Sequence, residues 1–340
     1  MRLAFPIDPQ AKHGWGVFGN YLSRELSKLE ILPDYLTLHA ITGPTFQPLL
    51  PDMWGKRNVG LCFIEDTAEA IHHIEKAKRY DAVLAGSTWN AEWLRSKGVN
   101  AYPFIQGVDH EYFYYRKREK SNKFVVFSGG KAEYRKGTDI VIRVMAEMMR
   151  KYPEVHLSCS WEHPWLKNQG TLDQSKLIQY KPMDTCHETY AATLEANGVP
   201  LDRVTLWPGI RHQYMAGVYE ESDIGLFPNR CEAGTNMVLM EYLAVGRPAI
   251  YTYDHGHADL PMHGHKWSIN SASVSAGWCE TNMYHALDLM ELAYRHWKND
   301  AMPDGRANSH SMERFTWDKC ARSIHDVCKT ALISEVSSAA

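Results

Sequence analysis

Short apolar runs rich in β-branched and aromatic residues recur along the chain, each followed by a polar loop and then by an amphipathic stretch. In the first third they fall at residues 2–7, 35–41, 59–64, 82–86 and 101–105, with amphipathic segments at 17–29 and 66–80 between them. A second series begins at 124–127 and continues at 155–159, 204–207, 224–227 and 249–253. Helices are expected at 139–151, 215–221 and 237–245, and a last one at 315–332 with its apolar face at Cys320, Ile324, Val327 and Cys328. Alternation of this kind predicts parallel sheets. Two such series joined near 115–123 predict an α/β chain of two doubly wound Rossmann-like domains with an interdomain cleft. The expected division is 1–118, 119–314, and a C-terminal helix and flexible tail at 315–340 that pack back toward the N-terminal domain.

A length of 340 residues agrees with two cores of ordinary size, and 44% hydrophobic with 23% charged residues is a globular composition. The formal net charge of −3 gives no global pull toward nucleic acid or an anionic membrane. One short basic run, Arg116-Lys117-Arg118-Glu119-Lys120, reads as a solvated linker or a phosphate contact. The seven cysteines are scattered, odd in number and without a C-x-x-C pair, so the expected setting is reducing. Residues 1–8 read directly as a first strand, not as a leader, and no run approaches the ~18 apolar residues of a membrane span. The expected location is cytoplasmic.

Chemistry concentrates after two strands of the second series. The run 124–127 leads into Ser128-Gly129-Gly130-Lys131 and then Arg135-Lys136-Gly137-Thr138-Asp139 before a helix. Glycines after a strand let backbone N–H groups approach a ligand, and Lys131 and Lys136 can flank a diphosphate as point charges. The alternative is a glycine turn with surface lysines. The run 224–227 leads into Pro228-Asn229-Arg230-Cys231-Glu232-Ala233-Gly234-Thr235-Asn236, then a helix carrying Glu241 and closed by Gly246-Arg247-Pro248. Free N–H groups at that helix start would receive an anion, and a carboxylate on its second turn would accept from sugar hydroxyls. The alternatives are a helix cap for Thr235 and Asn236 and a solvent-facing helical residue for Glu241.

This constellation resembles the C-terminal domain of glycosyltransferase family 4, retaining enzymes of the GT-B fold, in which a Gly-Arg-x4-Lys-Gly loop is followed by Glu-x7-Glu and an Ala-x-Gly-x-Pro stop. The resemblance implies that Lys131, standing where the family has arginine, and Lys136 ground the donor diphosphate beside Gly130. It implies that Glu241 holds the donor ribose and that Gly234, Thr235 and Asn236 line the donor. Glu232 and Glu241 enclose eight residues instead of seven. One extra loop residue returns Glu232 to the reacting sugar, and Glu232 is assigned there as catalytic with Lys131 and Lys136.

In the N-terminal half Gly14-Trp15-Gly16 resembles the family's glycine loop beneath the donor. Ser87-Thr88-Trp89-Asn90 and Gln106-Gly107-Val108-Asp109 resemble its Ser-x-x-Asn and Asn-Gly-Val-Asp markers. Glu65 and Asp66 face the same cleft as candidate acceptor or sugar contacts, with a helix cap as the alternative for Asp66. No Asp-x-Asp occurs, so in this resemblance lysines replace the metal ion at the diphosphate, and neither metal nor cofactor is expected beyond a UDP- or GDP-sugar donor. His255-Gly256-His257 and His263-Gly264-His265 have a spacing compatible with zinc, but read as a glycine loop without cysteine pairs or acidic partners. The acceptor stays open among a glycan, a small molecule, a lipid-linked sugar and a modified nucleic-acid base as in phage DNA glucosyltransferases. A catalytically silent sugar-nucleotide or glycan binder of the same fold is the rival from another class.

Overall fold

A computed structural model describes residues 1–7, 14–161, 171–261, 267–274 and 277–333. The first sheet holds β1 (Arg2–Ala4), β2 (Leu36–Ala40), β3 (Arg57–Cys62), β4 (Ala82–Ala85) and β5 (Ala101–Pro103), all parallel and side by side in chain order. Its helices are α1 (Gly14–Leu26), α2 (Thr67–Ala70), α3 (Ile74–Ala77) and α4 (Thr88–Ser96). Strands buried along their length on both faces need two apolar covers. One cover packs Phe18 and Leu22 of α1 against Leu36, Leu38, Leu61 and Leu84, and the other packs Ala70, Ala77, Ala91 and Leu94 against Cys62, Val83 and Ala85.

The second sheet is built from β6 (Phe124–Gly129), β7 (Val155–Ser160), β8 (Val204–Leu206), β9 (Ile224–Phe227), β10 (Ala249–Thr252) and β11 (Ser268–Ile269). A two-stranded ribbon of β12 (Ser271–Ser273) and β13 (Cys279–Thr281) stands beside it. Its helices are α5 (Thr138–Lys151), α6 (Cys186–Ala196), α7 (Met215–Glu220), α8 (Met237–Ala244), α9 (Met283–Lys298) and α10 (Arg306–Met312). Strand order is β11-β10-β9-β6-β7-β8. The chain therefore steps one way from β6 to β8 and returns to the far side of β6 with β9, which makes the carboxyl ends of β6 and β9 the topological switch point, where open α/β sheets bind ligands. The last helix, α11 (Trp317–Ile333), crosses back to the first sheet, and its Trp317, Cys320, Ala321, Ile324 and Cys328 complete the core under α1.

Expected strands and helices recur with ends moved by a few residues, as hydrogen bonding and not hydropathy sets an end. Three differences are larger. The stretch 66–80 is broken into α2, a 3-10 turn at Ile71–His73 and α3, where His73 at φ −117° and ψ 10° leaves the helical region. Gly14-Trp15-Gly16, expected as a loop, forms the first turn of α1. Helices α4, α6, α9 and α10 and the strands β11 to β13 were not anticipated. The tail 334–340, His263 and His265 lie outside the described residues. Among the described residues no helix is long and apolar enough to cross a membrane.

Candidate functional site

The loops after β6 and β9 are locked to each other before either meets a ligand. Arg230, 2% exposed, bonds both oxygens of Asp139 at 2.7 and 3.0 Å, and its Nη1 also donates to the Tyr134 carbonyl at 2.7 Å. The Tyr134 ring lies 3.8 Å from the guanidinium carbon, and Glu280 of β13 closes the fourth side at 3.1 Å. Gly137 sits at φ 69°, where a Cβ would come within 2.1 Å of the Pro228 carbonyl oxygen, so only glycine lets α5 begin this close to the β9 loop.

On this frame Lys136 Nζ bonds Glu232 Oε2, and Asn229 Nδ2 donates to the same oxygen at 2.7 Å. Arg135 is almost fully buried. Its Nη2 reaches Glu133 at 2.8 Å and Glu65 of the N-terminal domain at 2.9 Å, while Nη1 donates to the Cys231 carbonyl at 2.9 Å and lies 3.7 Å from Glu232. Burial alone would raise the Glu232 pKa. The charges of Lys136 and Arg135 outweigh it and hold the carboxyl below its ordinary range, so Glu232 is an anion at neutral pH. Lys131 pairs with Glu133 at 2.7 Å, and the Gly130 N–H donates to the Ser160 carbonyl at 3.0 Å.

Asn236 caps α8 through Leu239 N at 3.3 Å, and its amide N–H donates to His257 Nε2 at 3.1 Å. His257 in turn donates from Nδ1 to the Thr252 carbonyl at 2.8 Å and is neutral, burial having pushed its pKa down to about 4. Thr235 reaches Gln106 of the other domain at 3.4 Å. Gly234 is equally close to that domain, since a Cβ there would stand 2.8 Å from the Phe63 ring.

Glu241 is buried, not solvent-facing. His212 Nε2 stands 2.5 Å from Oε1 and the Tyr219 hydroxyl donates to Oε2 at 3.0 Å. Burial works against a charge on His212, but the Glu241 carboxylate and its hydrogen bond, with Asp109 beyond, keep the imidazole pKa above its ordinary value. Tyr21 of α1 approaches His212 Nδ1 at 3.4 Å and stacks on Trp317, so this corner joins both domains and the last helix.

The N-terminal residues face the same cleft. Ser87 donates to the Ala233 carbonyl at 2.7 Å, and Asp259 accepts from Thr88 N at 2.7 Å. Trp278 donates to the Glu65 carbonyl at 2.6 Å. A Cβ on Gly14 would face Met237 at the head of α8 at 3.8 Å. Gly16 is buried within α1, and Trp15 turns inward against Phe5, Phe18 and Phe63, with ring centroids 6.1, 6.3 and 5.3 Å away. Asp66 caps α2, accepting from Ala68 N and Glu69 N at 2.9 and 3.0 Å.

Lys136, Glu232, Glu65 and the head of α8 are thus brought together; Glu241 and Trp15 are tied into neighbouring packing. Arg135, Asn229, Arg230, His212 and Tyr219 were not foreseen. Arg135 directly precedes Lys136 and Arg230 lies two residues before Glu232, so adjacency was the only signal the sequence held for them.

No family model and no curated protein matches the chain. Solved structures do. A point mutant of S. aureus TarM in complex with Fondaparinux, alpha-GlcNAc-glycerol and UDP is similar at TM-score 0.62 and 12% identity, over 90% of this chain and 58% of that one. Sucrose-phosphate synthase from Thermosynechococcus elongatus is similar at TM-score 0.60 and 14% identity, over 98% of this chain and 88% of that one. The alpha,alpha-trehalose 6-phosphate synthase from Burkholderia multivorans gives 0.61 and 13%, over 96% and 77%. The chain spans 58% of the TarM chain's length. At these identities the shared property is the fold, two Rossmann-like domains in the GT-B arrangement.

Proposed function

We propose that the chain is a retaining glycosyltransferase that transfers a sugar from a UDP- or GDP-sugar to an acceptor such as a glycan, a small molecule or a lipid-linked sugar. The observation that carries this reading is the pairing of Lys136 with an ionised Glu232 at the switch point of the second sheet, directly across the cleft from Glu65. In this reading the donor lies with its diphosphate at Lys131, Lys136 and Gly130, its sugar at Glu232 and its ribose toward Glu241. Gly234, Thr235 and Asn236 line it from the head of α8, and Gly14, Trp15 and Gly16 close it from α1. Glu65 and Asp66 meet the acceptor side. The UDP held by the TarM structure supports a uridine donor.

As the glycosidic bond breaks, its electron pair leaves with the diphosphate, and negative charge grows beside Lys136. Preorganised cations aimed at that charge stabilise the transition state more than the ground state. Lysines thereby do at the diphosphate what a divalent ion does elsewhere. The working division is 1–118 for the acceptor and 119–314 for the donor, with α11 of the C-terminal segment bracing the first domain. Seven free thiols support a reducing, cytoplasmic setting.

A silent binding protein remains the second reading, favoured by the extra residue between Glu232 and Glu241 and by the two protein partners already on Glu241. A nucleic-acid acceptor gains nothing from the basic run, because Arg116, Lys117, Arg118 and Lys120 pair with Glu220, Glu119, Asp223 and Asp300. Thermal-shift screening against UDP-, GDP- and ADP-sugars, followed by assay of nucleoside diphosphate release, tests the proposal. A donor at ~100 times its Kd adds ~2.7 kcal/mol to stability. Binding with no release of nucleoside diphosphate selects the silent sugar-nucleotide binder, and binding of none of the donors overturns the transferase and leaves only the glycan-binding form of the silent reading.

A further inference from the structure

The loop after β10 carries a cluster that the donor reading does not use. Asp254 and His255 leave the end of β10, Cys279 opens β13, and one carboxylate oxygen, one ring nitrogen and the sulfur from these residues all lie within 4.8 Å of one another. We propose that Asp254, His255 and Cys279 form a zinc site.

The donor set selects the metal. A thiolate with an imidazole and a carboxylate suits Zn2+, whereas Mg2+ and Ca2+ take oxygen alone. Ligand atoms around tetrahedral zinc, at ~2.0–2.3 Å from the metal, are about 3.3–3.8 Å apart. The trio needs to contract by roughly 1 Å to reach those separations, a side-chain adjustment. The thiol gives its proton to solvent as the sulfur–zinc bond forms, and water fills the fourth corner.

Each ligand is also oriented from outside, as zinc ligands are. The backbone of Gly277 hydrogen-bonds the His255 ring. Asp254 Oδ2 accepts from the Ser271 hydroxyl at 2.9 Å and Oδ1 from the His255 N–H at 3.3 Å. Trp89, from the other domain, stands edge-on to the imidazole with ring centroids 4.6 Å apart. The Cys279 N–H donates to the Arg230 carbonyl at 2.8 Å, and the Gly256 N–H to the Glu232 carbonyl at 2.9 Å. A bound zinc would therefore fasten the β10 loop and the β12–β13 ribbon to the loop that carries Glu232. His257 is no member of the set, since both its ring nitrogens are engaged by Asn236 and Thr252.

The site stands or falls without reference to donor turnover. The full chain is dialysed against chelator, freed of it, and titrated with Zn2+ by calorimetry and with Co2+ by absorption. The expected result is one zinc per chain and a cobalt spectrum with a thiolate-to-metal charge-transfer band. Cys279→Ser abolishes the band, and His255→Gln and Asp254→Asn each weaken zinc at least tenfold. The last two substitutions touch less buried positions, so they report even if Cys279→Ser fails to fold. No stoichiometric zinc, a cobalt spectrum lacking the thiolate band, or a zinc affinity unmoved by His255→Gln overturns the proposal. A band that survives in folded Cys279→Ser places the metal on another cysteine and overturns it as well.

Discussion

His212 Nε2 stands 2.5 Å from Glu241 Oε1, so the segment after β8 closes over the carboxylate of α8 and not over open solvent. His212 keeps its proton to a higher pH in the folded chain than the ~6.5 of a free imidazole. The stability this contributes is complete below about pH 6.5 and is lost as pH rises through the folded-state value. Urea denaturation from about pH 5 to about pH 9 should show that loss in the parent and not in His212→Gln. A parent and variant with parallel pH profiles would detach the proton from this contact.

Lys136 should act where charge develops. Lys136→Ala is expected to lower kcat by about a hundredfold or more and to weaken donor binding, the scale seen when one transition-state donor is removed from a dry site. Steady-state kinetics on folded variant provide the check. A change in KM alone would mean that the lysine holds ground and transition states equally.

The architecture was largely legible because parallel sheets write themselves as apolar runs at regular spacing, and the glycine-lysine loop after 124–127 read as a phosphate loop, although only the strand order puts it at the switch point. What was not legible depends on long-range pairing. Nothing near Glu65 in sequence indicates Arg135, yet the two lie 2.9 Å apart across the cleft. Glu241 was placed on the donor ribose with a solvent-facing helical position as the alternative, and neither reading indicates the His212 segment, 29 residues earlier, that folds over it. Gly14 and Gly16 read as a loop from the family resemblance, whereas Trp15 between them anchors a helical turn on Phe5 and Phe63, and burial of a large ring outweighs about 1 kcal/mol of glycine propensity.

Glu241→Gln should raise the donor KM with a smaller change in kcat, since ribose hydroxyls change little as the glycosidic bond breaks. The amide cannot accept from both His212 and Tyr219, so stability should fall by about 1–3 kcal/mol. Equal losses in kcat and kcat/KM would move this carboxylate to the reacting centre.

Transfer should need no added Mn2+ or Mg2+, because lysines serve the diphosphate. In excess EDTA neither ion should raise turnover. Activity lost in chelator and restored by Mn2+ or Mg2+ would refute a metal-free diphosphate site, whereas restoration by zinc alone would point to Cys279 and its neighbours.

Asp139 and Arg230 should carry more stability than any surface pair. Asp139 is fully buried and meets both nitrogens of its partner, while Glu280, the other carboxylate on Arg230, is half exposed at 3.1 Å. Removing one member of a buried pair leaves the other charged and poorly solvated, which costs about 3–5 kcal/mol. Asp139→Asn should fall near the lower end of that range, because Glu280 and the Tyr134 carbonyl still face the guanidinium. Urea midpoints measure it. Asp139 also accepts from the Ser175 hydroxyl at 2.7 Å and stands in the first turn of α5, so where the variant folds, a drop in kcat would come through the β9 loop that Arg230 holds or through the start of α5 beside Lys136. The same kcat in folded Asp139→Asn as in the parent would show that Glu232 is positioned by Lys136, Asn229 and Arg135 without help from the Arg230–Asp139 pair.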